Sequence, residues 1–253
     1  MLLETKDVVK NFIGLTAVSH VDMVINRGEI LSIIGPNGAG KTTLFNLITG
    51  LLPCDHGHII FRGEDITGLP THEIAARGII RTFQTTKIFS HITVLESVTI
   101  GRHLRTKSGL VASLFRTKEM KREEKETTEE AVKILEFMNM TAKRDFLCDN
   151  LPYGDQRKQG IAIALAAEPT LLLLDEPANG MNPEETIHLM TLINKIRERG
   201  VTVVLVEHDM NVVMNISDRI LVLDFGTKIA EGTPAEIREN TRVIDVYLGE
   251  DLT

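Results

Sequence analysis

Apolar and polar positions change rhythm twice along this chain. Up to about residue 35 they read mostly as strands: Ala17 to Ile25 is rich in β-branched residues and roughly alternates apolar with polar. Asn26-Arg27-Gly28 has turn chemistry, and Glu29 to Ile34 reads as a short buried strand. A helix is predicted from Lys41, ending near Gly50, where glycine takes a left-handed cap without steric cost. His58 to Phe61 and Gly78 to Phe83 are further predicted strands. From Ile92 to Leu165 the pattern becomes mainly helical. There the charged run Lys118 to Glu130 leads into Ala131, Ile134, Leu135 and Met138 at helical spacing. Strand and helix then alternate: strands at Leu171 to Asp175, Val201 to Val206 and Arg219 to Asp224, helices at Pro183 to Arg199 and from Met210. Such interleaving favours a parallel, helix-covered sheet with a helical sub-domain inserted in the middle.

Composition narrows the setting. The 253 residues suffice for a full core, and 43% hydrophobic with 25% charged residues is ordinary for a globular protein. A net charge of -7 gives no basic surface for nucleic acid as the main partner. Cys54 and Cys148 have neither metal-ligand spacing nor a disulfide framework, which suits a reducing compartment. The first residues, Met1 to Asp7, carry acids where a signal peptide needs an apolar run. Apolar runs such as Leu171 to Leu174 fall far short of the roughly 20 residues that span a bilayer. The chain is therefore expected not to cross a membrane, and any transport role is borrowed from a partner.

The strongest chemical signal is Gly35-Pro36-Asn37-Gly38-Ala39-Gly40-Lys41-Thr42-Thr43, which fits G-x-x-x-x-G-K-[ST] between a predicted strand and a predicted helix. Glycines at 35, 38 and 40 let the backbone curl so that several N–H groups converge on one anion, and the helix after them adds its partly positive end. Lys41 offers a flexible charge for β- and γ-phosphates, and Thr42 a hydroxyl for Mg²⁺. Four leucines ending in Asp175-Glu176 fit a strand buried on both faces, and ligand sites of such sheets lie at strand C-termini. Alone, that run is also a helix N-cap. Beside the phosphate loop, Asp175 reads as the Mg²⁺ ligand and Glu176 as the group that polarises the attacking water.

With these residues in place the sequence resembles the ATP-binding cassette family over nearly its whole length. Gln84 matches the family's Q-loop, Leu151-Pro152-Tyr153-Gly154-Asp155-Gln156 stands in the signature position, Leu174-Asp175-Glu176-Pro177 matches Walker B, Asn179-Gly180-Met181-Asn182 the D-loop, and His208 the switch histidine. Phe12 falls where an aromatic ring stacks on adenine. Arg81-Thr82-Phe83-Gln84, Tyr153 to Arg157, Glu207 to Met210 and the tail from Gly226 to Glu250 resemble the ATPases of branched-chain amino acid importers. Departures stand at Pro152, Asp155, Asn182 and Ile163, where the family usually carries serine, glutamine, aspartate and arginine.

The resemblance implies an α/β P-loop NTPase fold: a mixed-sheet core and antiparallel β sub-domain (about 1–90 and 168–253) with a helical sub-domain (about 91–167). It implies ATP and Mg²⁺ as cofactors. The loop residues 35 to 43, Phe12, and Tyr153, Gly154 and Asp155 would contact nucleotide; Thr42, Gln84 and Asp175 would hold the metal; Glu176, His208 and Gln84 would serve catalysis. It further implies a second cassette, itself or a paralogue, transmembrane permease subunits and, indirectly, a substrate-binding protein, at the cytoplasmic face of the cell membrane. Other readings stay open: a related cassette system for urea, other amino acids or lipid export, a soluble cassette ATPase, a cassette that binds ATP only structurally, and a small-molecule kinase.

Overall fold

The computed structural model of the chain describes residues 1–82, 91–102 and 118–250. They fall into two compact units. The first holds residues 1–81, 170–179 and 186 onward, and contains two sheets. One is a four-stranded antiparallel sheet in the order β2-β1-β4-β5, with β1 at Leu3–Phe12, β2 at Leu15–Ile25, β4 at His56–Phe61 and β5 at Glu64–Asp65. The other has six strands in the order β10-β9-β3-β8-β7-β6. Here β3 is Ile30–Ile34, β6 Ile79–Arg81, β7 Leu171–Asp175, β8 Thr202–Val206, β9 Arg219–Asp224 and β10 Thr227–Gly232. All neighbours run parallel except β10, which returns antiparallel along β9. Sequence patterning had not separated β5 and β10, or the short helix α2 at Thr71–Ala76, from loop.

Burial explains the parallel core. Leu171 to Leu174 and Val203 to Leu205 are each 0% exposed, as strands covered on both faces require. Leu31 and Ile33 pack with Leu44, Phe45 and Ile48 of α1 (Lys41–Ile48). Ile34 and Val222 pack in a separate cluster with Val213 of α7 (Met210–Ile216), Ile237 of α8 (Pro234–Glu239) and Val243 of α9 (Thr241–Glu250). Because the strands are parallel, β3, β7 and β8 end on one edge, where the loops that follow them gather. Asp175 lies in register with Val206, which fixes the exits of β7 and β8 side by side.

The second unit, residues 82–169 and 180–185, is helical. Helix α3 (Val94–Gly101) opens with a capping box in which Thr93 and Glu96 each satisfy the other's backbone N–H. Of the periodic positions in α4 (Lys118–Phe137) and just beyond it, Ala131, Leu135 and Met138 are buried and Ile134 is half-buried. Gly101 lets α3 approach α5 (Tyr153–Ala166): a Cβ there would stand 2.4 Å from the Ile163 carbonyl oxygen. Gln159 is 0% exposed and donates to Ser97 Oγ at 2.8 Å, tying α5 to α3. Helix α6 (Pro183–Glu198) comes after the exit of β7. No helix among the described residues is long and apolar enough to cross a membrane.

Candidate phosphate-binding and hydrolytic site

The loop after β3 is shaped by close backbone approach. Gly35 has φ +149°, and a Cβ on it would sit 2.0 Å from the Leu223 carbonyl oxygen. Gly40 has φ +98°, and its Cβ would meet the Ala17 carbonyl oxygen at 2.3 Å. Strands β9 and β2 thus press on the loop where only glycine fits. The Ala39 N–H donates to Pro36 at 3.1 Å, and the Gly226 N–H donates to Ala39 at 3.0 Å, closing the curl. Lys41 Nζ folds back and donates to the carbonyls of Gly35 (2.6 Å) and Pro36 (2.9 Å). That ties the ammonium to the start of the loop. No acid lies in the first turn of α1, and no side chain caps its N-terminus. Asn37, Gly38 and Thr42 are exposed and Thr43 half-buried, so the rim is open to an anion.

Asp175 ends β7 with a side chain 4% exposed. Its Oδ2 accepts from Arg81 Nη2 at 2.6 Å, whereas Oδ1 is buried without a hydrogen-bond partner among the described residues. Arg81, at the end of β6, also donates to Asn46 Oδ1 of α1, and its guanidinium lies 5.5 Å from the Phe45 ring centroid. One cation therefore joins β6, β7 and the helix behind the phosphate loop. Glu176 adopts φ +47°, a conformation rarely taken by a non-glycine residue. The turn is held by the Glu176 N–H donating to Val206 at 2.8 Å, and Asn179 Nδ2 donates to Glu176 Oε2 at 3.2 Å. Neither acid caps a helix; α6 is opened instead by Asn182 and Glu185, which exchange backbone bonds at 2.9 and 3.0 Å.

His208 is exposed just past β8, and Asp209 rather than the histidine caps α7, accepting from Asn211 N–H at 2.8 Å. Between them and the strand stands Glu207, 1% exposed. Its carboxylate accepts from the Ala178 N–H at 2.7 Å and the His208 N–H at 3.1 Å. Burial pushes this carboxyl above its ordinary range, and the amides of Ala178, Asp209 and His208 oppose that rise.

Phe12 is 44% exposed at the end of the β1–β2 hairpin, opposite Leu15, with Lys10 Nζ 5.6 Å from its ring centroid. In the helical unit, Tyr153, Gly154 and Asp155 form the first turn of α5 behind Pro152. Arg157 lies over the Tyr153 ring, 4.9 Å from its centroid, and bonds its hydroxyl. Gly154 is covered by Glu185, whose Oε1 would lie 2.5 Å from an added Cβ. Asp155 pairs with Lys143 and, at 4.0 Å, with Lys158. Gln84, with Ile88 and Phe89 beside it, lies outside the described residues.

Sequence reasoning gave Arg81 and Glu207 no role of their own. Each is a charged residue at the end of a buried strand on the edge where the loops gather, which is the signal that would have found them.

A glycine-walled anion loop ahead of a helix, with a histidine after the neighbouring strand and paired acids at the end of the strand beyond it, defines a P-loop nucleotide hydrolase. The chain belongs to the ABC transporter family, whose profile matches residues 18–179, and it is of the class of ATP-hydrolysing transporter subunits. A second profile, described as that of a branched-chain amino acid ATP-binding cassette transporter, matches residues 227–253. The chain is 44% identical to the high-affinity branched-chain amino acid transport ATP-binding protein BraF of Pseudomonas aeruginosa, over 98% of both chains. It is 43% identical, with the same coverage, to the LivG protein of that description from Escherichia coli K12. Among solved structures, a nucleotide-free cassette of an ABC transporter matches at 34% identity and a TM-score of 0.86, over 97% of this chain and 98% of that one. A cassette in its ADP conformation matches at 33% and 0.85, over 98% of each.

Proposed function

We propose that this ATPase powers the import of branched-chain amino acids, working with a second cassette and membrane-spanning subunits at the cytoplasmic face of the cell membrane. The observation that carries the reading is identity of 43–44% with BraF and LivG along 98% of the chain, including the tail after β9.

Within the site, ATP binding would draw Lys41 from the carbonyls of Gly35 and Pro36 onto the phosphates, while the loop amides receive the anion. Mg²⁺ fits the donors present: Thr42 is exposed beside the loop, and Asp175 Oδ1 is a buried acceptor with no partner among the described residues. Bound there with Gln84, the ion would neutralise charge developing on the phosphoryl oxygens. Glu176 would accept the proton of the attacking water, and His208 would donate to the γ-phosphate. Phe12 would stack on the adenine.

Tyr153, Gly154 and Asp155 would meet the nucleotide of a second cassette. Pro152 brings no hydroxyl to that turn, so the opening amides of α5 carry no side-chain cap. An acid in the first turn would repel phosphate, but Asp155 is balanced by Lys143 and Lys158. The loss of the family's serine and glutamine thus leaves the helix end able to attract an anion.

The test is the transporter purified with its membrane subunits and a binding protein. Leucine, isoleucine or valine should raise ATP turnover, and Glu176→Gln should abolish turnover while keeping ATP binding. Stimulation by another solute class alone would overturn the substrate assignment, and persistent turnover in Glu176→Gln would remove that residue from the chemistry.

A further inference from the structure

Glu207 is a buried carboxylate held by backbone amides, placed between two groups that hydrolysis needs. Its carbon chain rises from the end of β8, and its two oxygens look in different directions. Oε1 accepts from the Ala178 N–H at 2.7 Å, two residues past Glu176. Oε2 accepts from the His208 N–H at 3.1 Å and, more weakly, from the Asp209 N–H at 3.5 Å. The turn it grips is the strained one: Glu176 has φ +47° and is followed by Pro177, so the backbone there relaxes unless neighbours hold it. A backbone bond from Glu176 N–H to Val206 is the other tie between that turn and β8.

We propose that Glu207 is a positioning residue for ATP hydrolysis: its carboxylate clasps the turn bearing Glu176 to the segment bearing His208, so that base and histidine share one frame. Two amide donors on one side and one on the other call for a carboxylate, because every contact needs an acceptor. A neutral amide side chain satisfies one end and turns an N–H toward the other. Nucleotide binding does not depend on this clasp, since the phosphate loop is walled by β9 and β2 instead.

The inference rests on the reading of Glu176 as base, and the experiment keeps the two apart. In the assembled transporter, Glu207→Gln is expected to lower kcat by about tenfold or more while the KM for ATP stays within about twofold, the split of an effect felt in the transition state. Calorimetry on the full chain should give an unchanged affinity for Mg-ATP. A kcat within about twofold of the parent, or a loss carried by KM, overturns the proposal. Glu207→Asp keeps the charge but spans one end only; it is read by the same split if the glutamine variant does not fold. Hydrogen exchange on the unaltered chain supplies a check independent of any variant: the Ala178 amide should be protected as strongly as β8, and free exchange there refutes the clasp. Should Glu176→Gln leave turnover intact, the site reading fails; should it stop turnover while Glu207→Gln does not, only the present inference fails.

Discussion

Replacing Arg81 by methionine tests how the sheet edge holds its acid. The guanidinium is the charged partner of Asp175 Oδ2, the two side chains being 10% and 4% exposed, and Asp175 Oδ1 already lacks a partner among the described residues. Removing the cation leaves a buried carboxylate with neither oxygen bonded, a situation that costs about 3–5 kcal/mol. Loss of the Asn46 contact adds about 1 kcal/mol. Methionine returns part of this through its apolar stem against Phe45, so a net loss of about 3 kcal/mol is expected. The matching change Asp175→Asn strips the guanidinium of its counter-charge and should cost a similar amount. With both changes neither buried charge of this pair remains, and the double variant should be more stable than the sum of the singles by at least about 2 kcal/mol. Hydrogen exchange of the β7 amides, measured without nucleotide or Mg²⁺, reads the opening free energy of this sheet directly. A loss below about 1 kcal/mol for Arg81→Met, or additivity of the two changes within about 0.5 kcal/mol, would refute the coupling.

The same geometry dictates other outcomes. Gly40→Ala places a Cβ 2.3 Å from the Ala17 carbonyl at φ +98°, so it should destabilise the loop by at least about 2 kcal/mol and abolish ATP binding by calorimetry. Phe12→Ala removes the exposed ring of the hairpin and should weaken ATP by about tenfold while affecting triphosphate alone far less, since stacking on a base is worth about 1–3 kcal/mol. Thr93→Ala should cost about 1 kcal/mol through loss of the α3 cap. The capping acids Glu96 and Glu236 lie below the ordinary value of 4.5 because the amides and hydroxyls of Thr93 and Thr233 donate to them. Their folded values being depressed, the stability they bring is complete above 4.5 and is lost as pH falls through the folded values. Side-chain carbon NMR should show both midpoints under 4.5, and a midpoint at or above it removes that acid from its cap.

The parallel core was legible because its strands are marked twice, by continuous apolar runs and by the loop chemistry at their ends. Leu171 to Leu174 read as a strand buried on both faces, and the phosphate loop decided between a ligand and a helix cap for Asp175. The phosphate loop was legible because its curl demands glycine at fixed offsets. Each feature that escaped has its own physical reason. β10 carries Lys228 and Glu231 among half-buried positions, so neither alternation nor an apolar run marks it; pairing with β9 makes it a strand. Two residues, Glu64 and Asp65, form β5 only because β4 lies beside them. Arg81 and Glu207 escaped for another reason: their roles rest on partners 94 and 29 residues away. Their place at the ends of buried strands marks them as candidates, but the chain does not name such distant partners.

The site gathers positive-φ residues on one sheet edge, and the sequence advertises those that are glycine. Gly35 and Gly40 take positive φ and are written as glycine, because β9 and β2 leave no room for a side chain. Glu176 also takes positive φ, but the proposed role of base requires a carboxylate, so glycine cannot fill it. The strain that glycine removes elsewhere must be held by bonds here. Pro177 shuts the right-handed helical region to Glu176 and removes one amide from the turn. Val206 and Glu207, both at the end of β8, take the amides on either side of that proline. A carboxylate held in a strained turn has few positions to sample, and few positions is what a base facing one water requires. The same strand end carries His208, so whatever shifts β8 moves the proposed base and the histidine together.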